Sequence, residues 1–247
     1  MHESKIINLF EYGYFCKKKF QMNSQISEHI QFILNQLAPF KCKLIAVTKT
    51  RSIAELQATY TAGILDFGEN RVQEMVDKQP QLPADIRWHQ IGHLQTNKVK
   101  YIAPFVHLIH SVDSFKLLKE INKEALKNNR TIPCLLQMYI AQEETKFGLD
   151  KQELEELLNN PELSSLKNIQ IVGLMGMASF TENTAQIKTE FQSLKNIFEE
   201  VKTQKKGEKA GNVDWQEISM GMSGDYLLAA QEGSTMVRVG SKIYGAR

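Results

Sequence analysis

Cysteine is scarce in this chain, with only Cys16, Cys42 and Cys134 among 247 residues. An odd number at long spacings, with no C-x-x-C pair, excludes a disulfide framework and a cysteine-built zinc site. Cys42 and Cys134 fall in apolar runs and read as buried thiols in a reducing compartment. Long apolar runs are missing too, and none approaches the ~20 residues of a membrane span. The first 22 residues have no apolar stretch followed by a small-residue cleavage site, which argues against a signal peptide. Nor does one sign of charge dominate. Thirty basic and 28 acidic side chains leave a net charge of +2, too balanced for a nucleic-acid surface. The lysine runs at 17–19 and 205–206 read as solvated surface. A cytoplasmic protein with neither nucleic acid nor membrane as partner is expected. Two motifs are absent as well. No G-x-G-x-x-G follows the first strand, which weakens a dinucleotide-binding open sheet. His89 and His93 have i, i+4 spacing but lie at a strand end without the glutamate of H-E-x-x-H, so metal hydrolysis is set aside and no metal is expected.

The sequence does contain an alternation. A leading helix runs over "SQISEHIQFILNQL", with Ser24 as its expected cap and Ile26, Ile30, Ile33, Leu34 and Leu37 on one stripe. Strand-like runs come next at 42–49, 64–70, 86–92, 105–113, 132–140, 169–177, 215–222 and 236–245, each pair separated by a helical run. Ser114 and Asp150 are expected caps, and Gly63 an expected stop. Strands alternating with helices pair in parallel through right-handed crossovers. Eight such units in ~250 residues predict a single (β/α)8 barrel over 23–247. Residues 1–22 read as a poorly ordered appendage, and the polar stretch 203–214 as an insertion.

In such a barrel, the chemistry gathers where strands end and loops begin. That rule brings together Lys49, Asn70, His89, His93, Lys146, Met175, Met177, Ser223, Gly224, Arg238, Gly240 and Ser241. "SMGMSGD" and "RVGS", after strands 7 and 8, supply hydroxyls, close backbone approach and N–H groups, the requirements of a phosphate site. The alternative is a pair of ordinary tight turns. Lys49 ends a strand expected to be covered on both faces; apolar walls and a nearby cation would lower its pKa, as a lysine condensing with an aldehyde requires. The alternatives are snorkelling to solvent or pairing with Glu69 or Asp66. A phosphorylated aldehyde with a ring nitrogen would complete the set, with Arg238 as a donor to that nitrogen. Arginine keeps its proton, so it can bond an unprotonated pyridine but cannot stabilise a pyridinium. The alternative for Arg238 is an ion pair inside the barrel.

The motifs "AVTKT", "FGENRVQE", "WHQIGHLQTNK", "GLMGM", "EISMGMSGD" and "STMVRVGSKIYGAR" closely resemble the YggS/PROSC family of pyridoxal phosphate homeostasis proteins, from about residue 24 to 247. The resemblance implies a barrel like the N-terminal domain of alanine racemase. It implies that Lys49 holds pyridoxal 5'-phosphate as an internal aldimine, that Ser223, Gly240 and Ser241 hold the phosphate, and that Gly224 is also cofactor-binding. Arg238 would face the ring nitrogen, with Asn70, His89 and Met177 lining the pocket. Lys146 matches a lysine that many relatives carry near the site. Arg51 and Ser241 stand where many relatives have lysine and threonine. The implied role is intracellular vitamin B6 homeostasis by a monomer that supplies cofactor-dependent apoenzymes. The alternative is a weak amino-acid racemase. Alanine racemase draws a second base, a tyrosine, from a domain beyond its barrel. This sequence ends at Arg247, directly after the last strand, so no catalytic residue is assigned.

Overall fold

A computed structural model describes residues 22–141, 148–204 and 211–245. Eight parallel strands close in chain order: β1 (Lys43–Val47), β2 (Asp66–Glu69), β3 (Arg87–Gln90), β4 (Leu108–Val112), β5 (Ile132–Tyr139), β6 (Ile169–Met177), β7 (Val213–Ser219) and β8 (Met236–Val239). Helix α1 spans 22–37. The other helices are α2 (Ile53–Thr61), α3 (Val72–Lys78), α4 (Val99–Ile102), α5 (Phe115–Lys127), α6 (Lys151–Leu158), α7 (Thr184–Gln204), α8 (Tyr226–Gln231) and α9 (Ser241–Tyr244). The (β/α)8 architecture with a leading helix is the one the alternation predicts.

Side chains alternate across each strand, which sorts two cores. Leu44, Ala46, Val237 and Val239 face the helices and join the main apolar layer. Ile45, Leu108, Leu135, Met175 and Met236 form a smaller cluster inside the ring. Arg238 lies two residues after Met236 and pairs in register with Ile45, so it also points inward. Helix starts are chemically marked. Ser52 and Asp150 form reciprocal capping boxes with Glu55 and Glu153, and Ser114 accepts the Leu117 N–H.

Several boundaries differ from the expectation. Ser24 is not a cap: α1 is already helical at Met22, which packs on the core, and Ser24 Oγ bonds Glu28 one turn on. Residues 1–21, with Cys16, lie outside the described residues. β7 starts at Val213, inside the stretch read as an insertion, whose residues 205–210 also lie outside the description. β8 stops at Val239, and Ser241–Tyr244 is a turn of helix. Buried Ile243 satisfies either period, which is why "GSKIYG" reads as strand in the sequence.

Candidate functional site

The C-terminal ends of the strands enclose a cavity of about 630 Å³. Its lining brings together Lys49, Asn70, Met177, Ser223, Gly224, Arg238, Gly240 and Ser241. Val47, Ile91, Ile187 and Met222 supply apolar wall, and Phe180 stands at the rim almost wholly in solvent.

Lys49 leaves β1 on a turn that the backbone would not adopt unaided. Thr50, a β-branched residue, has φ +63, in the left-handed region. Its N–H donates to the Glu74 carboxylate. That carboxylate also accepts from Lys78 Nζ at 2.6 Å, and the same ammonium donates to Thr48 O at 2.7 Å and to Glu69 Oε1 at 2.8 Å. Thr48 Oγ1 donates to Glu69 Oε1 at 2.6 Å. Lys78 is therefore a buried lysine with three oxygen acceptors, and it fastens the segment that carries Lys49. Burial pushes the Glu69 carboxyl up, and hydrogen bonds from Lys78 and Thr48 work against that rise. Sequence reading misses Lys78. The available signal is its i+4 position from Glu74 on a short helix directly after the FGEN motif.

On the opposite rim, the loop after β7 turns at Gly221, where φ is +93 and a Cβ would meet the Ala229 Cβ at 2.4 Å. The Met222 N–H donates to Asp225 Oδ1. Ser223 Oγ accepts the Gly240 N–H at 3.0 Å, which joins the two loops read as a phosphate site. Gly240 is also close-packed: a Cβ there would lie 3.2 Å from Val47. Asn70 is held through its carbonyl, which accepts from Gln90 Nε2 at 3.0 Å. Arg51 donates to Gly245 O at 2.9 Å and lies over the Tyr244 ring.

Arg238 is 4 % exposed. Its Nη1 donates to Ser219 Oγ at 2.6 Å and its Nη2 to Gly176 O at 3.0 Å. Burial lowers it to about 10, offset in part by Asp225, so it stays protonated at neutral pH. Among the described residues it forms no salt bridge, contrary to the alternative reading of an internal ion pair.

His89 is not among the lining residues. It points into the barrel interior, with Nε2 3.0 Å from Asp66 Oδ1 and Nδ1 2.9 Å from His110 Nε2. The sequence reading places it at the cavity because the apolar run continues to Gly92; the strand itself ends at Gln90, and His89 lies below the rim. His93 is exposed and faces Asp113, so the two histidines do not converge. Met175 is interior and Met177 reaches the cavity. Lys146 lies outside the described residues. Among the described residues, Asp66, His89 and His107 bring three metal-type ligand atoms within 4.8 Å of one another. The Asp66 carboxylate is already bound through both oxygens by Arg87, at 2.7 and 2.6 Å, so a cation would have to displace a guanidinium.

Residues 23–247 match the family model for the alanine racemase N-terminal domain. The chain is 38% identical to the pyridoxal phosphate homeostasis protein of Aquifex aeolicus, over 83% of this chain and 87% of that protein. It is 34% identical to the one from Caenorhabditis elegans, over 84% and 86%. Among solved structures, PipY of Synechococcus elongatus PCC7942 with PLP bound superposes with a TM-score of 0.78 at 36% identity, covering 89% of this chain and all of that one. Alanine racemase from Bartonella henselae superposes at 0.65 with 16% identity, covering 91% of this chain and 61% of that one, a likeness of fold alone.

Proposed function

The chain belongs to the family of pyridoxal phosphate homeostasis proteins, and on that premise we propose that its cavity holds pyridoxal 5'-phosphate covalently on Lys49. The observation that carries the reading is the donor set. Lys49, the buried Arg238 and the hydroxyls of Ser223 and Ser241 line a single cavity large enough for the cofactor, with Arg51 and Lys242 also on its lining. When bound, pyridoxal phosphate supplies an aldehyde carbon, a phosphate dianion and a pyridine ring that can draw electrons from a substrate.

The chain's own residues bind and orient that group. Lys49 would hold the group through its amine. Ser223 and Ser241 would supply hydroxyl donors for the phosphate, and Gly224 and Gly240 would let backbone come close to it. Met177 and Asn70 would line the ring's side of the cavity. Arg238 would supply a donor for an unprotonated ring nitrogen, which would restrain carbanion chemistry. No tyrosine lines the cavity among the described residues, so a second base on the opposite face is not supplied there. These features favour a carrier that keeps a reactive aldehyde bound and releases it to apoenzymes of cytoplasmic vitamin B6 metabolism. Among the described residues, no helix is long and apolar enough to cross a membrane.

The purified protein soaked in pyridoxal phosphate should develop a visible absorption band, and borohydride should fix the cofactor on the peptide containing Lys49. A colourless protein, or a label on another lysine, overturns the assignment. Racemisation of alanine or serine that is lost in Lys49→Ala would replace the carrier reading with the racemase one.

A further inference from the structure

Four hydrogen bonds in series cross the barrel interior and end on Arg238. Arg238 Nη1 lies 2.6 Å from Ser219 Oγ. Ser219 Oγ lies 2.9 Å from His110 Nδ1. His110 Nε2 lies 2.9 Å from His89 Nδ1. His89 Nε2 lies 3.0 Å from Asp66 Oδ1. Asp66 is the first residue of β2 and so belongs to the N-terminal mouth, opposite the cavity. The series thus joins the two ends of the barrel through Ser219, His110 and His89, each at most 1 % exposed.

The chemistry of its two ends fixes the direction of every proton. A guanidinium can only donate, and an ionised carboxylate can only accept. Ser219 Oγ accepts from Arg238, so its hydrogen goes to His110 Nδ1. His110 then carries its proton on Nε2 and donates to His89 Nδ1, and His89 carries its proton on Nε2 and donates to Asp66. The reverse order would set the lone pair of His89 Nε2 against the carboxylate and leave the buried Ser219 hydroxyl hydrogen without an acceptor, each costly in a dry interior. Asp66 stays ionised because Arg87 and His89 both donate to it. Ser219 Oγ is thereby turned with its lone pair toward Arg238, and together with Gly176 O it holds two corners of the guanidinium fork.

We propose that Asp66, His89, His110 and Ser219 form a one-way hydrogen-bonded relay that positions the Arg238 guanidinium against the cofactor ring, with both histidines neutral and protonated on Nε2. The proposal deepens the pyridoxal phosphate reading and rests on it for the identity of the group that Arg238 faces. These four are positioning residues; none of them lines the cavity.

Two measurements test it. In cofactor-free protein carrying 15N-histidine at pH 7, the signals of His89 and His110, assigned by their loss in His89→Gln and His110→Gln, should show both rings protonated on Nε2 alone. A proton on Nδ1 of either ring overturns the relay. In protein loaded with pyridoxal phosphate 15N-labelled in its ring, Ser219→Ala should shift the ring-nitrogen resonance and speed cofactor loss about tenfold, the size of one lost hydrogen bond to a charged group. Ser219→Thr, which keeps the hydroxyl, should restore the resonance. A shift with Arg238→Lys but none with Ser219→Ala sinks the relay and spares the cofactor reading. No shift with Arg238→Lys sinks the placement of the ring nitrogen on Arg238, and with it the relay's role toward the cofactor.

Discussion

A single buried lysine decides whether the turn bearing Lys49 holds. Lys78 is only 7 % exposed and bonds a backbone carbonyl and two carboxylates. Truncating one partner of a buried charged pair costs far more than the pair is worth, because the remaining charge is stranded. Lys78→Met should lower the unfolding free energy by about 3–5 kcal/mol in a urea titration. The double variant Lys78→Met, Glu69→Gln should recover part of that loss. Arg238 offers a different contrast. Arg238→Gln keeps a hydrogen-bond donor but loses the charge and half the fork, so cofactor retention should drop at least tenfold by equilibrium dialysis, with the Lys49 adduct still formed. At this scale, the sequence discloses the groups that face the cavity, because strand ends are countable. It does not disclose Lys78, Ser219 or His110, whose roles depend on which neighbour they meet across the ring. His89 reads at the wrong level for the same reason.

Elements are legible where one period dominates. β6 occupies the 169–177 run that its apolar sequence marks, and Ser114 and Asp150 begin helices as their side chains dictate. Legibility fails where two periods fit, as at Ser241–Tyr244, or where a helix begins upstream of a plausible cap, as at Ser24. The short connections carry their own stakes. Helix α2 comes after the Lys49 turn, and its capping box should make Ser52→Ala cost about 1 kcal/mol by thermal or chemical unfolding. Gly221 combines a left-handed backbone with a 2.4 Å clash for any added Cβ. Gly221→Ala should therefore destabilise by about 2 kcal/mol or more and loosen the Ser223 loop, seen as faster amide exchange at residues 222–225.

For the molecule as a whole, the interior imidazoles make acidity a stability variable. Burial holds His89 below its ordinary value despite the Asp66 carboxylate beside it, and Arg87 and Lys43 add to the lowering. Burial likewise holds His110 well below, with His89, Arg238 and His107 contributing. His107 is lowered to about 4 by burial and by His89. A depressed imidazole stays neutral in the fold at a pH where the unfolded chain already takes up a proton. Stability is then full above about 6.5 and falls as pH drops toward 4. Both fully buried rings work in this sense, so Tm should fall between pH 7 and pH 5 in calorimetry. Burial raises the Asp66 carboxyl, but hydrogen bonds from His89 and Arg87 more than reverse this and leave it well below the usual range, so its contribution is lost only at stronger acid.

β8 does two jobs in four residues. It is the last strand in chain order, and its pairing with β1 and β7 shuts the ring. It also delivers Arg238 to the cavity. A nascent polypeptide still short of residue 236 has neither a complete wall nor the guanidinium, whatever its earlier strands have achieved. Capture of the ligand must therefore wait for β8, and C-terminal truncations that stop short of residue 236 should fail to bind a fluorescent vitamer.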